Sequence, residues 1–150
     1  VKIHQGEFQN RNVKGDLIFN GSSETPEEVG MCSVLLDEIP GLYLNSFCFG
    51  FRLLDERKND GLFISYLFRS SYGRRLLYSS AQGATRYNLS KGNFLKLEVT
   101  MPGPEEQRQI ASIIFDLDSE IKCLIVKLNK TKLIKQGMMQ KLLTGKIRLV

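Results

Sequence analysis

Two hydrophobic periods divide this chain. In SFCFGFRLL, Ser46 to Leu54, the residues Phe47, Phe49, Phe51 and Leu53 alternate with smaller or polar ones. That is the period of a half-buried strand, and the phenylalanines are expected in the core and not on a base-stacking surface. From Pro104 on, apolar residues recur instead in a heptad. One position of the repeat holds Ile110, Leu117, Leu124, Thr131 and Met138; the other holds Ile114, Ile121, Leu128, Lys135 and Leu142. Only Thr131 and Lys135 depart from the apolar rule, and polar residues on such a seam fix register or face a different partner.

Ahead of the heptad the pattern is irregular. VKGDLIFN (Val13 to Asn20) is strand-like after a Gly-Asp turn, GSSETPEEVG reads as a loop, and MCSVLLDE as a buried strand. Asn59 or Asp60 caps a helix through GLFISYLFRSS with Leu62, Phe63, Tyr66 and Leu67 on one face. A second short helix runs through GRRLLYSS, a glycine-broken loop follows at AQGATRYN, and LSKGNFLKLEVTMP supplies a turn and a closing strand that stops at Pro102. This order predicts an α+β fold: a small mixed α/β domain over 1–103, followed over 104–150 by a long helix of the kind that forms coiled coils.

Pro104 suits a first helical turn, Glu105 and Glu106 complement the dipole there, and Thr144-Gly145 supplies the stop. Pro104 to Leu143 at ~1.5 Å per residue makes a helix of roughly 60 Å. A domain of ~100 residues is only about 26 Å across, twice its ~13 Å radius of gyration. The seam therefore needs a second helix, and self-association is expected.

The net charge of +5 is unevenly spread. Val1 to Phe68 carries six Lys/Arg against ten Asp/Glu, whereas Arg69 to Leu97 carries six bases and no acid. Among the bases of that second stretch lie Tyr72, Tyr78 and Tyr87 and a set of small hydroxyls and amides. Arginine binds phosphate or guanine bidentately, and Asn, Gln and Ser reach base edges, so the mixture suits nucleic acid better than a lipid surface. Arg69, Arg74, Arg75, Arg86 and Lys91 are the candidate phosphate or guanine contacts, and Gln82, Thr85 and Asn88 the candidate base readers. The loop at Ser22, Ser23 and Thr25 is a second candidate. RNA is disfavoured because the aromatics lack the clustering of RNA-stacking sheets.

Chemistry for catalysis is sparse. His4 is the one histidine, the three cysteines show no CxxC spacing, and neither a metal site nor a Ser-His-Asp arrangement can be built from them. An odd cysteine count fits a reducing, cytoplasmic setting. No apolar run approaches 18 residues, so no membrane span is expected. Glu120-Ile121-Lys122 mimics the E-x-K of a metal-dependent nuclease, but on a helix Glu120 and Lys122 point about 200° apart. The opening VKIHQGEF lacks an initiator methionine and points to a piece of something longer.

Three segments carry a family resemblance: KGDLIF (Lys14 to Phe19), GATRYNLSKGNFLKLEVTMPGPEEQRQIA (Gly83 to Ala111) and LNKTKLIKQGMMQKLLTGKIRL (Leu128 to Leu149). With them the chain resembles one target-recognition domain plus one helical segment of the specificity subunit of Type I restriction-modification systems. Gly103 departs from the apolar residue often found beside that proline. The resemblance implies a non-catalytic subunit that binds half of a bipartite target in double-stranded DNA. It implies a helix that spaces two such domains and docks the methyltransferase (M) subunit and, through it, the restriction (R) subunit. S-adenosylmethionine, ATP and magnesium are then expected on those partners alone, and a half-subunit of this kind is expected to form a homodimer through its helix. The competing expectation is a coiled-coil assembly protein that does not bind DNA.

Overall fold

A computed structural model describes residues 10–81, 83 and 86–149. The chain divides into two compact units, Val1–Ala111 and Ser112–Val150. The first is a small mixed α/β domain and the second is formed by most of a long C-terminal helix.

The strands of the first unit are β1 (Leu17–Asn20), β2 (Ser22–Ser23), β3 (Cys32–Val34), β4 (Cys48–Phe51) and β5 (Tyr87–Asn88). Its helices are α1 (Gly61–Arg69), α2 (Ser71–Ser80) and the short α3 (Lys91–Phe94); α4 (Pro104–Leu142) starts in this unit and continues into the second. β1 is the central strand of an antiparallel sheet in the order β3-β1-β4, with Leu17 opposite Val34 and Phe51, and Phe19 opposite Cys32 and Phe49. Leu17 and Phe19 alternate inward, as the period-2 pattern requires, onto a core that includes Val29, Phe49, Phe63, Phe68 and Leu77.

α1 begins where Asp60 accepts a hydrogen bond from Phe63 N–H at 2.7 Å, which satisfies one of the orphan donors of the first turn. Its buried side is Phe63, Ile64, Ser65 and Phe68, not the expected Leu62-Phe63-Tyr66-Leu67 face, because α1 packs against both β3 and α2 and is covered from two directions. Ser70 closes α1 and caps α2 with its Oγ, so no linker separates the two helices. Gly73 makes this junction possible, since a Cβ there would overlap the Leu67 carbonyl oxygen.

Other expectations are corrected. The two loops predicted around GSSETPEEVG and AQGATRYN pair with one another as β2 and β5, Ser22 opposite Asn88 and Ser23 opposite Tyr87. The strand expected to end at Pro102 does not form. Phe94 closes α3, and beyond it Leu97, Val99 and Met101 pack on the core at alternate positions, without a ladder partner among the described residues. The alternation is that of an extended chain, whose side chains found the core while its backbone found no strand. Phe47, expected inside with Phe49 and Phe51, is 50% exposed.

Asp16 ties the entry of β1 to the residue after β4. It is 4% exposed; Oδ1 accepts from Arg52 Nε at 2.7 Å and Oδ2 from Arg52 Nη2 at 2.8 Å and from Val13 N–H at 2.9 Å. The Arg52 guanidinium holds the Asp16 carboxyl below the usual carboxylate range, against the opposing effect of burial. A depressed acid stabilises the fold above its unfolded pKa and loses that contribution as pH falls through its folded pKa. Asp16→Asn is accordingly expected to cost about 1–2 kcal/mol at neutral pH, discounted because Arg52 is half in water, and the gap should shrink toward pH ~3 as the wild-type carboxyl protonates. Denaturant unfolding of both proteins at the two pH values checks this; an equal gap at both would mean that the ion pair contributes nothing.

α4 is a single helix of 39 residues. Gln107 and Ala111 are buried in the first unit: Gln107 Oε1 accepts from Asp60 N–H at 2.9 Å, and its Nε2 donates to the Pro102 carbonyl at 2.8 Å. Beyond Ala111 the seam lies open, with Leu117, Ile121, Leu124, Leu128 and Met138 each 52–56% exposed, while Ile110 packs against the core and Ile114 and Leu142 are half-buried. The Thr144-Gly145 stop is observed: Gly145 takes φ +69° and its N–H reaches the Leu142 carbonyl at 3.2 Å.

Candidate nucleic-acid interface

Gly21 is the residue on which the interface is assembled. Its N–H donates to the Phe47 carbonyl at 2.7 Å and its own carbonyl accepts from Leu89 N–H at 2.9 Å, so the segments at 21, 47 and 89 meet at one point. A Cβ at Gly21 would crowd Phe49 Cδ1 and the Phe47 oxygen at 3.0 and 3.1 Å, which leaves little room for any other residue. Around this point Ser22, Ser46, Phe47, Arg86, Asn88 and Lys91 line an open concavity. Asn45 accepts from Phe47 N–H through Oδ1 at 3.0 Å, an Asx turn that redirects the chain just before β4 begins. The Phe47 ring is thereby turned outward, with the Arg86 guanidinium over it at 5.2 Å from the centroid.

Lys91, Ser46, Cys48 and Phe49 also line an adjoining concavity with Asn10, Arg11, Asn12, Asn45 and Arg52. Lys91 is exposed at the start of α3, where Ser90 Oγ caps by accepting from Asn93 N–H at 3.1 Å. The two concavities together set amides, hydroxyls and cations among the apolar side chains of Phe47, Phe49 and Leu89, and the polar groups are of the kind that contacts phosphate and base edges. Arg52 is partly spent on Asp16, and Arg11 forms an ion pair with Glu38 at 3.1 Å.

The expected site residues fall into two groups. Ser22, Arg86, Asn88 and Lys91 share the concavity just described, whereas Arg69, Arg74 and Arg75 line another with Pro26, Glu27, Met31 and Tyr78. Arg69 and Arg75 are exposed. Arg74 is turned inward: its Nη2 donates to the carbonyls of Pro26 at 3.1 Å and Val29 at 2.7 Å, and burial lowers its pKa against the pull of Glu27. It holds the loop after β2 onto α2. Ser23 is buried, donating to Glu28 Oε2 at 2.9 Å and accepting from Thr25 N–H at 3.2 Å, and so shapes the loop on which Thr25 lies exposed. Gln82 and Thr85 lie outside the described residues. Among the described residues no cluster of His, Cys, Asp and Glu could hold a metal ion, and no helix is long and apolar enough to cross a membrane.

The family described as Type I restriction modification DNA specificity domain matches residues 2–136. The chain belongs to this family. It is 33% identical over 90 residues to the Type I restriction enzyme MjaVIII specificity subunit of Methanocaldococcus jannaschii, an alignment covering 59% of this chain and 21% of that subunit. The crystal structure of the S subunit of a Type-I restriction-modification system from M. genitalium shares its fold, with a TM-score of 0.66 and 17% identity over 89% of this chain and 33% of that one. The specificity domain thus spans about a fifth of the length of the curated relative and a third of the solved one.

In this specificity domain, sequence reasoning missed Asn45, Ser46 and Phe47 on the site. Asn45-Ser46 before an aromatic run was a turn signal, and a turn there takes Phe47 out of the strand whose period it appears to share. Asn10, Arg11 and Asn12 gave no local signal, since distant segments hold them at the site, Asn12 N–H bonding the Leu42 carbonyl at 3.0 Å and Arg52 bridging to Arg11 O at 3.3 Å.

Proposed function

We propose that this chain is a non-catalytic DNA-reading unit: residues 1–103 bind one half of a bipartite target in double-stranded DNA, and residues 104–150 hold it at a fixed distance from a second reader. The observation that carries the reading is the polar, basic surface centred on Lys91 and Arg86 in a chain of the specificity family. Arg69 and Arg75, on a separate concavity, are further candidate phosphate contacts, and Ser22, Gln82, Thr85 and Asn88 are the candidate base readers.

The open seam of α4 supports a spacer role. A helix with five exposed Ile, Leu and Met residues at heptad spacing is stable in water only when another helix covers it. That helix comes from a second copy of the chain, and the pair also docks the methyltransferase subunit and, through it, the restriction subunit. S-adenosylmethionine, ATP and magnesium serve those partners, in the cytoplasm where the DNA lies.

Binding to duplex DNA by the chain with its methyltransferase should weaken steeply with salt. The four exposed candidate cations left once the inward Arg74 is set aside, Arg69, Arg75, Arg86 and Lys91, give a slope of roughly −3 to −4 in log affinity against log salt. Affinity that ignores ionic strength would sink the DNA reading and leave the pure assembly role.

A further inference from the structure

We infer that Phe47 is a positioning residue that presents Arg86, together with Glu24, to a G·C base pair in the major groove; the inference rests on the DNA-reading role proposed above. Three features single out Arg86 among the exposed arginines. Its guanidinium lies over the Phe47 ring at 5.2 Å, within cation–π range. Its carbonyl is held in place: Asn88 Nδ2 donates to it at 3.2 Å, and Gly83, at φ +133°, approaches so closely that a Cβ would overlap that same oxygen. Its charge is balanced by Glu24, with Nη2 at 3.8 Å from Oε1, beyond hydrogen-bond reach.

Arg86 is therefore held while the N–H donors of its fork are hydrogen-bonded to no other described residue. The ring face restrains the guanidinium without competing for donors, so the rotamer entropy that an arginine ordinarily loses on binding is partly lost in advance. A planar fork of this kind matches two ligands, phosphate oxygens and the O6/N7 edge of guanine. Glu24 decides between them. A carboxylate beside the fork repels an approaching phosphate but not a neutral base, and carboxylates accept from cytosine N4, the group next to guanine O6 in the same base pair. Ser22 and Asn88, opposite one another on β2 and β5 and lining the same concavity, add further neutral groups suited to base edges.

The test uses the full chain and a pool of duplexes with a randomised core, selected for binding and sequenced. Wild type should enrich a motif containing a G·C pair that Arg86→Lys, which keeps the charge and loses the fork, no longer prefers, a drop in discrimination of about 5- to 150-fold at that position alone. Phe47→Leu should relax the same position and Phe47→Tyr restore it, with the salt slope unchanged. In the free protein, the Arg86 Nε–Hε resonance should show an upfield ring-current shift that Phe47→Leu abolishes and Phe47→Tyr retains. A motif unchanged by Phe47→Leu and Arg86→Lys, or a loss of affinity spread evenly over all sequences, overturns the inference and leaves DNA reading intact. Salt-insensitive retention that enriches no sequence overturns the DNA reading itself.

Discussion

Phe19→Ala should lower the stability of the first unit by about 3–5 kcal/mol, the range for removing a fully buried ring. Phe19 is 0% exposed and sits on the central strand with ring centroids 5.5 Å from Phe49, 5.9 Å from Phe51, 5.5 Å from Phe68 and 4.6 Å from Phe94. Phe19 thus joins the central strand to β4, α1 and α3 through ring contacts, and Phe94 makes the reciprocal set from α3. At roughly 4 °C or more per kcal/mol for a domain of this size, the melting temperature should fall by more than about 12 °C. Phe19→Leu keeps much of the volume and should cost less than half as much. A calorimetric melt that moved by only a few degrees for the alanine variant would show that neighbours collapse into the space and that the cluster is not what holds the sheet to its helices. The site depends on the same ring: Gly21 follows β1 directly, so loosening β1 loosens the hydrogen bonds that gather Phe47 and Leu89 around it.

What could be read from the sequence was local, and what could not was pairing between distant segments. The Asp60 cap, the Pro104 start and the Gly145 stop each need only neighbours in the chain, and the structure has them where the residues pointed. The heptad is equally local and survives as one helix. β2 and β5 are two residues long and 64 positions apart, so neither shows a period; they pair because Gly21 admits Phe47 and Leu89 to its backbone. Phe47 obeys the alternation of β4 and still faces out, because the turn at Asn45 just before the strand takes it out of the ladder, and periodicity does not register a turn. Arg74 illustrates the reverse error. The arginines on either side of it in sequence, Arg69 and Arg75, are exposed, and what sets Arg74 apart is the loop carbonyls of Pro26 and Val29, far away in the chain.

Replacing Ile121 and Leu124 together by Gln should abolish self-association of the chain while leaving the melting of the first unit unchanged. Both side chains are more than half exposed on α4, so the folded chain loses little, and Gln is a good helix former. In a pair of helices each substitution counts twice. Four covered side chains at about 1.5–3 kcal/mol each amount to roughly 6–12 kcal/mol, as much as a micromolar complex has in total. Charge sets the direction of pairing. Glu105, Glu106, Asp116, Asp118 and Glu120 precede Ile121 on α4, with Arg108 the one base among them, and Lys122, Lys127, Lys130, Lys132, Lys135 and Lys141 follow it, so a parallel pair aligns mostly like charges and an antiparallel pair opposes unlike ones. Sedimentation equilibrium at tens of micromolar should therefore report a dimer for wild type and a monomer for the double variant. Labels attached near Glu106 in one copy and near Lys141 in the other should lie close in the wild-type dimer. A monomeric wild type would mean that the second helix comes from outside these residues, in the same longer chain or in a partner, and labels close only between like positions would reverse the polarity on which the proposed spacing of two DNA readers depends.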